Sequence, residues 1–364
     1  MAGAVDFLVR RDDLRQTRFA PAPDRDEIDL RPGEILLAID RFGFSANNVT
    51  YAVLGDAMRY WEFFPGPDDW GRIPVWGFAD VVRSHHDGVA AGERVFGYLP
   101  MSTHVAVLAD RVTDAGFVDA FPHRAELPSV YQRYIRSAAD PSYDLDREDE
   151  LALWRPLFMT SFGAADFLVE RGRVEGRAVV ISSASSKTAL GIAFLLSRDR
   201  PPGCELVALT SARNLAFCER VGYYDRVLAY DDLESLRDGP TTFVDLAGDE
   251  KLLARLRGHL GESLRNSTVI GATHWEERAP GQAIGGADTE FFFLPPWLEQ
   301  RRREWGPGEF ARRYSEVWRA FLASTESWLT IVRGEGPDAV AAVYRELLDG
   351  RTPPDVGHIL SLAS

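Results

Sequence analysis

The sequence predicts an α/β protein in which a β-barrel domain is interrupted by an inserted domain built on a parallel sheet. Three observations predict this class. Short β-rich runs punctuated by Gly, Pro and Asp fill the first ~110 residues. Strands alternate with helices after Arg155, and one more strand and helix follow near the C-terminus. The chain of 364 residues also exceeds the roughly 100–200 residues of a typical domain, so two domains are expected.

Antiparallel strands account for the first domain. The run EILLAIDR, residues 34–41, alternates apolar and polar side chains after a Pro-Gly turn. GFADVVRS, GERVFGYLP and HVAVLA follow as short strands, a pattern typical of a compact barrel. We assign residues 1–155 to this domain. Within it, we interpret residues 116–150, which prolines interrupt, as a connection with partial helix that is either a surface excursion or a lid.

A parallel sheet accounts for residues 156–300. FMTSFGAADFLVERG is an amphipathic helix, RAVVISSA a buried strand, and KTALGIAFLLSRD a helix packed on it. The runs CELVALTS, YDRVLAYDD, TTFVDLAG and NSTVIGAT are further strands, and their alternation with helices implies right-handed crossovers. Residues 301–364 contain a helix, the strand WLTIVRG and the helix DAVAAVYRELLDG. They are too short for a third domain and are predicted to return to the first.

The amino-acid composition disfavours several classes of binding partner. Acidic residues outnumber Lys and Arg by 55 to 41, a balance that disfavours nucleic acid and anionic membrane surfaces. Cys204 and Cys218 are too few for a disulfide scaffold and lack the spacing of a structural zinc site. The chain shows neither a secretory signal nor the ~20 apolar residues of a membrane span. We therefore expect a cytoplasmic protein whose partner is a small-molecule substrate.

The order of these elements resembles the medium-chain dehydrogenase/reductase superfamily, which contains zinc alcohol dehydrogenases and quinone reductases. PGEILLAIDRFGFSANN resembles its opening strand and substrate-side loop, and GVAAGERVFG is similar to its G-D-R-V-x-G hairpin. RPLFMTSF, PVWGFADVV and FFFLPPWLEQRRREWG resemble a zinc-free, quinone-reductase-like branch. The resemblance implies a GroES-like β-barrel catalytic domain and an inserted Rossmann-type nucleotide-binding domain. It also implies a homodimer as one arrangement.

The turn SSASSKTALG is the candidate pyrophosphate site. Such a turn needs small residues because the pyrophosphate approaches the backbone at a helix N-terminus. The superfamily stretch A-x-x-G-x-x-G matches Ser183, Ser186 and Ala189, so its glycines are missing here. Lys187 either pairs with a phosphate or is a solvated residue at the helix start. The hydroxyl groups that could donate hydrogen bonds to phosphate oxygens belong to Ser183, Ser185, Ser186 and Thr188.

The cofactor preference is predicted from the end of the second strand, LTSARN. An NAD-selective protein carries an Asp or Glu there to bind the ribose hydroxyl groups. Ser211, Arg213 and Asn214 instead offer donors and a fixed positive charge, which suit a 2′-phosphate and favour NADPH. A surface loop arginine is the alternative interpretation of Arg213.

Small residues end the next two strands. Gly248, Gly271 and Ala272 would let the nicotinamide and its ribose approach the sheet, although ordinary strand-ending residues look the same.

Catalytic zinc is not expected. Zinc-dependent relatives carry Cys and Asp in G-x-C-x-x-D and a later His. Ser45, Asn48 and Phe78 stand at or near those positions here. A neutral hydroxyl and a phenyl ring cannot hold zinc at its ~2.0–2.3 Å ligand distances.

Candidate catalytic groups lie in residues 47–64, NNVTYAVLGDAMRYWEFF. Tyr60 or Tyr51 could donate a proton, and Asn48 could hydrogen-bond a carbonyl or the nicotinamide ribose. Zinc-free enoyl reductases of the superfamily use a Tyr shortly after this Asn-containing loop, which makes Tyr60 the analogue. Aromatic residues at this density are also typical of packing or of a pocket wall.

These features predict a zinc-independent NADPH-dependent reductase acting on an activated C=C or C=O bond of a small apolar or planar substrate. Two alternatives stay open because fold alone does not determine function. One is a non-redox enzyme of the lyase, hydratase or cyclase type. The other is a non-catalytic nucleotide-binding protein.

Overall fold

The computed structural model describes residues 3–270 and 289–363, and the chain divides into two units. Unit 1 comprises Met1–Arg155 and Thr330–Ser364, and unit 2 comprises Pro156–Leu329. Unit 2 is therefore inserted into unit 1, which agrees with the insertion predicted from the sequence.

Unit 1 is mainly β-structure. Its strands are β1 (Val5–Arg10), β2 (Thr17–Pro21), β3 (Glu34–Phe44), β4 (Trp70–Gly71), β5 (Pro74–Ser84), β6 (Arg94–Pro100), β7 (His104–Thr113), β8 (Gly116–Asp119), β9 (Arg133–Arg136), β16 (Thr330–Glu335) and β17 (Val356–Ser361). Its helices are α1 (Ala46–Val53), α8 (Gly336–Leu348) and the first part of α2 (Glu148–Glu170), which continues into unit 2.

Six of these strands close into a barrel. The sheet order is β16-β17-β3-β5-β6-β9-β8-β7, and β7 also pairs with β3, where Ala38 lies opposite His104. Alternate residues of a barrel strand point inward. Accordingly, Ile35, Leu37 and Ile39 of β3 are buried in one hydrophobic core. The barrel confirms the GroES-like fold predicted for this part of the chain.

Residues 116–150 differ from the predicted connection or lid. They supply β8 and β9, two of the six barrel strands, joined by short 3-10 helices. Each strand is only four residues long. Runs this short are too brief to show the apolar alternation by which a strand is recognised in a sequence.

Unit 2 alternates strands and helices. After α2 its elements are β10 (Ala178–Ile181), α3 (Lys187–Asp199), β11 (Glu205–Thr210), α4 (Leu215–Val221), β12 (Arg226–Ala229), β13 (Thr241–Asp245), α5 (Glu250–Leu260), β14 (Leu264–Ile270), β15 (Thr289–Phe292), α6 (Leu294–Trp305) and α7 (Pro307–Thr325).

The sheet of unit 2 is parallel, with the order β12-β11-β10-β13-β14-β15. Counted from β10, this is the Rossmann order 3-2-1-4-5-6. In such a sheet the order reverses beside the first strand, and ligands bind there at the carboxyl ends of the strands. The turn after β10 therefore lies at the expected ligand site.

The return to unit 1 begins later than predicted. Residues 301–329 belong to unit 2, because α7 packs on its helices. The ring of Phe321 in α7 lies 4.4 Å from that of Phe158 and 5.3 Å from that of Phe194. Within the described residues, no helix is long and apolar enough to cross a membrane.

Candidate functional site

The turn between β10 and α3 is held by its own backbone and by a tyrosine. Ser183 has a left-handed backbone with φ of +46°, a conformation that glycine adopts more readily. Its N–H donates to the hydroxyl of Tyr230, with N and O 2.9 Å apart. Tyr230 follows β12 and was missed by sequence reasoning, although its position directly after the third strand of the sheet was a usable signal.

Ser186 caps α3. Its hydroxyl accepts the N–H of Ala189 at 3.3 Å, and its carbonyl accepts the N–H of Leu190 at 2.9 Å. The first N–H groups of a helix otherwise lack partners, and they are the groups that bind anions. Lys187 and Thr188, at the first two positions of α3, are half-buried beside this cap.

Close packing behind the turn depends on Gly191, two positions after Ala189, the residue that matches the last glycine of the superfamily stretch. Ala189 is fully buried. A Cβ atom at Gly191 would lie 2.4 Å from the hydroxyl oxygen of Ser161 in α2. That hydroxyl lies 2.9 Å from the carbonyl oxygen of Thr188 and can donate to it. The first turn of α3 is therefore fixed to α2 at the distance that only a glycine allows.

Polar contacts join the turn to the end of β11. The hydroxyl of Ser185 accepts a hydrogen bond from the amide of Asn214 at 2.8 Å. Ser211 and Arg213 lie in the same short segment, and Arg213 is exposed. In the part of the chain that the structure describes, Arg213 pairs with no carboxylate. The segment thus presents a guanidinium group to solvent.

Asp245 organises the end of β13. It is buried, and its Oδ1 accepts hydrogen bonds from the Ser182 hydroxyl at 2.8 Å and from the N–H groups of Ala247 and Gly248 at 2.9 and 3.1 Å. Gly248 has a φ of +68° in this turn. An Asp followed by small residues at a strand end was the available sequence signal for this turn.

Gly271 and Ala272 lie outside the described residues, so the structure gives no placement for these two predicted cofactor contacts.

Tyr51 and Tyr60 lie in an aromatic cluster of unit 1. Only 7% and 8% of these residues are exposed, and their ring centroids are 4.6 Å apart. The Tyr60 hydroxyl lies 3.4 Å from that of Tyr131, and the indole N–H of Trp76 donates to the Tyr51 hydroxyl at 3.3 Å. Burial raises the pKa of Tyr51 above its usual value, so its hydroxyl stays protonated at neutral pH. The other members of the cluster include Phe63, Phe64, Tyr98 and Leu127.

Asn48 and Ser45 form the N-terminal cap of α1. The Asn48 Oδ1 accepts the N–H of Ser45 at 2.9 Å, and its Nδ2 donates to the carbonyl of Pro74 at 3.1 Å. Asn48 is 4% exposed. Both polar atoms of its side chain are therefore used in positioning the helix that carries Tyr51.

Phe78, near the position of a zinc-binding His in zinc-dependent relatives, is fully buried. Its ring lies 5.3 Å from that of Phe96 and 5.2 Å from the guanidinium carbon of Arg94. Over residues 3–270 and 289–363, no three His, Cys, Asp or Glu side chains form a group that could hold a metal ion.

Several solved structures have a similar fold. CurA in complex with NADPH from Vibrio vulnificus is 11% identical, with a TM-score of 0.59 over 99% of this chain and 100% of that one. A quinone oxidoreductase from Coxiella burnetii is 12% identical, with a TM-score of 0.53 over 98% of each chain. The CurF ER cyclopropanase from the curacin A biosynthetic pathway is 15% identical, with a TM-score of 0.53 over 99% of each chain. These likenesses confirm the medium-chain dehydrogenase/reductase fold.

Sequence comparison adds one family. The model of the family described as "Protein of unknown function (DUF2855)" matches residues 42–353, which is most of both units. No curated protein sequence matches the chain.

Proposed function

We propose that this chain, which belongs to the family described as Protein of unknown function (DUF2855), is an NADPH-dependent reductase of an activated C=C or C=O bond. The substrate class is a small apolar or planar molecule. The chemistry is zinc-independent, because Ser45 caps a helix and Phe78 is packed in the barrel where relatives place zinc ligands.

The observation that carries the proposal is the end of β11. Residues 211–214 contain no Asp or Glu, so no carboxylate there would accept hydrogen bonds from a free ribose 2′-hydroxyl. The exposed guanidinium of Arg213 and the hydroxyl of Ser211 suit a 2′-phosphate. CurA, which shares this fold, is known in complex with NADPH.

The serine turn fits a pyrophosphate despite its missing glycines. Ser183 supplies the left-handed turn, and Gly191 supplies the close helix packing. A phosphate oxygen can replace the Tyr230 hydroxyl as acceptor of the Ser183 N–H. The hydroxyl groups of Ser183 and Thr188 and the ammonium group of Lys187 add donors at the N-terminus of α3.

Bound NADPH would supply a hydride, and the protein must supply a proton. We assign the proton to Tyr60, with Tyr51 packed against it. Asn48 holds α1, and hence Tyr51, in place. The aromatic surroundings of these hydroxyl groups suit a planar substrate.

Cofactor selectivity is the decisive test. Arg213→Ala and Arg265→Ala remove the same charge. Arg265 is exposed near the amino end of β14, whereas the proposed cofactor site lies at the carboxyl ends of the strands. We expect calorimetry to show that only Arg213→Ala weakens NADPH binding, by roughly 10-fold or more, with NADH binding unchanged. Equal losses in the two variants would contradict the assignment. Rapid mixing of NADPH with enones, quinones and aldehydes then tests reduction itself.

A non-redox enzyme is the second candidate, and the turn itself favours it. The hydroxyl of Ser185, the hydroxyl of Ser186 and the N–H of Ser183 all have partners inside the protein. The fold also occurs in the CurF ER cyclopropanase. If neither NADPH nor NADH binds the wild-type protein, this candidate replaces the reductase.

A further inference from the structure

We propose that Tyr131 is a positioning residue for proton transfer, whose hydroxyl forms a two-membered relay with the hydroxyl of Tyr60. This inference rests on the proposed reductase function. Tyr131 lies in residues 116–150, which sequence reasoning treated as a connection, and it was not among the predicted site residues.

Hydroxyl contacts define the relay. The oxygens of Tyr60 and Tyr131 are 3.4 Å apart, and the Tyr51 ring packs edge-on against the Tyr131 ring, with centroids 6.3 Å apart. Tyr51 in turn accepts the indole N–H of Trp76. A distance of 3.4 Å is longer than the usual 2.7–2.8 Å between hydroxyl oxygens. Catalytic hydrogen bonds are often long without substrate and tighten in the complex.

The backbone under Tyr131 is fixed. Tyr131 lies in the 3-10 helix Ser129–Gln132, and the buried amide of Gln132 donates to the carbonyls of Arg124 and Leu127 at 2.6 and 2.8 Å. The Tyr131 ring also contacts the ring of Tyr98, with centroids 4.8 Å apart. Packing and hydrogen bonds thus hold the phenol in one position, which a positioning residue requires.

The Tyr131 hydroxyl stays protonated at neutral pH and can act as a hydrogen-bond donor. Burial raises the pKa of Tyr131 well above its usual value of 10, and the negative charge of an ionised Tyr60 raises it further. The titratable groups near Tyr60 include Tyr51 of α1, Tyr98 of β6 and Tyr131, and the charge of Arg124 acts on Tyr98. Tyr131 therefore keeps its proton and donates a hydrogen bond to the Tyr60 phenolate.

The reaction step balances. In an unsaturated carbonyl substrate, a hydride from NADPH forms a C–H bond at the β-carbon and the C=C electron pair moves toward the carbonyl oxygen. The Tyr60 O–H bond then breaks, its proton completes the product, and its electron pair stays on the phenolate oxygen. NADPH is oxidised by two electrons, the substrate is reduced by two, and solvent water returns the proton to Tyr60. Tyr131 acts by stabilising the phenolate.

Tyr131→Phe tests the relay, and Tyr344→Phe is the matched control. Each change removes one tyrosine hydroxyl of unit 1 and keeps the ring. Tyr344 lies outside the aromatic cluster, and its hydroxyl donates to the carbonyl of Leu14 at 2.8 Å. With NADPH and an enone reduced by the wild type, we expect Tyr131→Phe to lower kcat roughly 10-fold or more with little change in KM, because a hydrogen bond to a charged group is lost. Tyr344→Phe should leave kcat within about twofold of the wild type.

The pH profile and a spectrum separate this role from a structural one. Without the Tyr131 hydroxyl, the Tyr60 phenolate is less stable, so the alkaline limb of the kcat profile should move to higher pH. In protein labelled with carbon-13 at the tyrosine Cζ atoms, the Tyr60 signal at neutral pH should shift in Tyr131→Phe and stay in place in Tyr344→Phe. Thermal unfolding checks that both variants fold.

The possible results test the relay and the reductase function separately. Equal kcat values and an unmoved Tyr60 signal in the two variants would overturn the relay. A shifted Tyr60 signal in a protein that reduces no enone, quinone or aldehyde would support the relay and count against the reductase. A shifted signal together with a lowered kcat supports both.

Discussion

The hydroxyl of Tyr230 accepts the backbone N–H of Ser183 at 2.9 Å, at the point where β10 turns into α3. The N–H groups of such a turn are the ones that bind phosphate in a Rossmann sheet. Under the proposed function, NADPH binding would exchange the Tyr230 hydroxyl for a phosphate oxygen as the acceptor of this N–H.

Tyr230→Phe removes this acceptor from the unliganded protein only. The Ser183 N–H then loses its partner, which costs about 1 kcal/mol, and a phosphate oxygen restores one. We expect a lower Tm without NADPH and NADPH binding that is roughly 3- to 10-fold tighter. Thermal unfolding and calorimetry measure the two effects.

Tyr224→Phe is the control for this exchange. The Tyr224 hydroxyl donates to the carbonyl of Ala184 in the same turn at 2.8 Å, so its removal leaves no N–H without an acceptor. It should lower the Tm without tightening NADPH binding. Tighter binding in both variants, or in neither, would show that Tyr230 does not compete with phosphate.

Gly191→Ala should loosen the start of α3. The new Cβ would lie 2.4 Å from the Ser161 hydroxyl oxygen and 2.7 Å from its Cβ, inside any real contact distance. Overpacking of this kind costs about 1–3 kcal/mol. Because Ser161 also contacts the carbonyl of Thr188, we expect a lower Tm together with weaker NADPH binding.

Gly258→Ala should raise the stability of the protein, in contrast to Gly191→Ala. Gly258 is exposed within α5, and nothing lies within 4 Å of a Cβ placed there. Replacing an exposed helix glycine by alanine stabilises by roughly 0.5–1 kcal/mol. The second change Ser161→Gly should restore part of the stability lost in Gly191→Ala. A Gly191→Ala protein as stable as the wild type would refute the close contact between α2 and α3.

The sequence predicts the elements that neighbouring residues reveal, and it misses those that only contacts across the chain define. The strand β10 is short but entirely apolar, the helix α3 is long enough for its period to show, and the order of such elements implies the parallel sheet. The four-residue strands β8 and β9 have no readable period, so their place in the barrel was missed. Pairing with neighbouring strands, which a sequence does not display, defines them.

The same division applies to the candidate sites. The serine turn and the missing acid after β11 are local in sequence, and both were recognised. Tyr230, Asp245 and Tyr131 act through contacts across 47, 63 and 71 positions of the chain, which only the fold brings together. Asn48 was assigned to chemistry from its loop, whereas its amide bridges Ser45 and Pro74. Whether it also contacts a ligand stays a prediction.

Glu309 should make stability depend on pH in acid. Hydrogen bonds from Arg312 and Arg313 lower its pKa from 4.5 to about 2. A carboxyl group with a lowered pKa in the folded state stabilises that state fully above the unfolded value, and the stabilisation is lost as the pH falls from 4.5 toward 2. In urea unfolding, the stability difference between the wild type and Glu309→Gln should therefore be constant above about pH 5.5 and shrink below 4.5.

Glu299→Gln is the control for removing one surface carboxylate. Glu299 is largely exposed and pairs with Arg303 only at 3.4 Å. At pH 7 it should therefore lower the stability by less than Glu309→Gln does. A Glu309→Gln difference that grows as the pH falls would reverse the predicted sign.

Lys187 should become protected when NADPH binds. Lys187 and Lys251 are the two lysines of the chain, and each lies in the first turn of a helix, α3 and α5 respectively. An ammonium group that pairs with the pyrophosphate is shielded from an amine-reactive reagent. We expect NADPH to slow the labelling of Lys187, measured by mass spectrometry of peptides, and to leave the labelling of Lys251 unchanged.

Lys187→Gln should weaken NADPH binding roughly 5- to 10-fold and reduce the salt dependence of binding, because a charge-assisted contact is lost. Lys251→Gln should do neither. Equal labelling of Lys187 with and without saturating NADPH would place the pyrophosphate away from the start of α3.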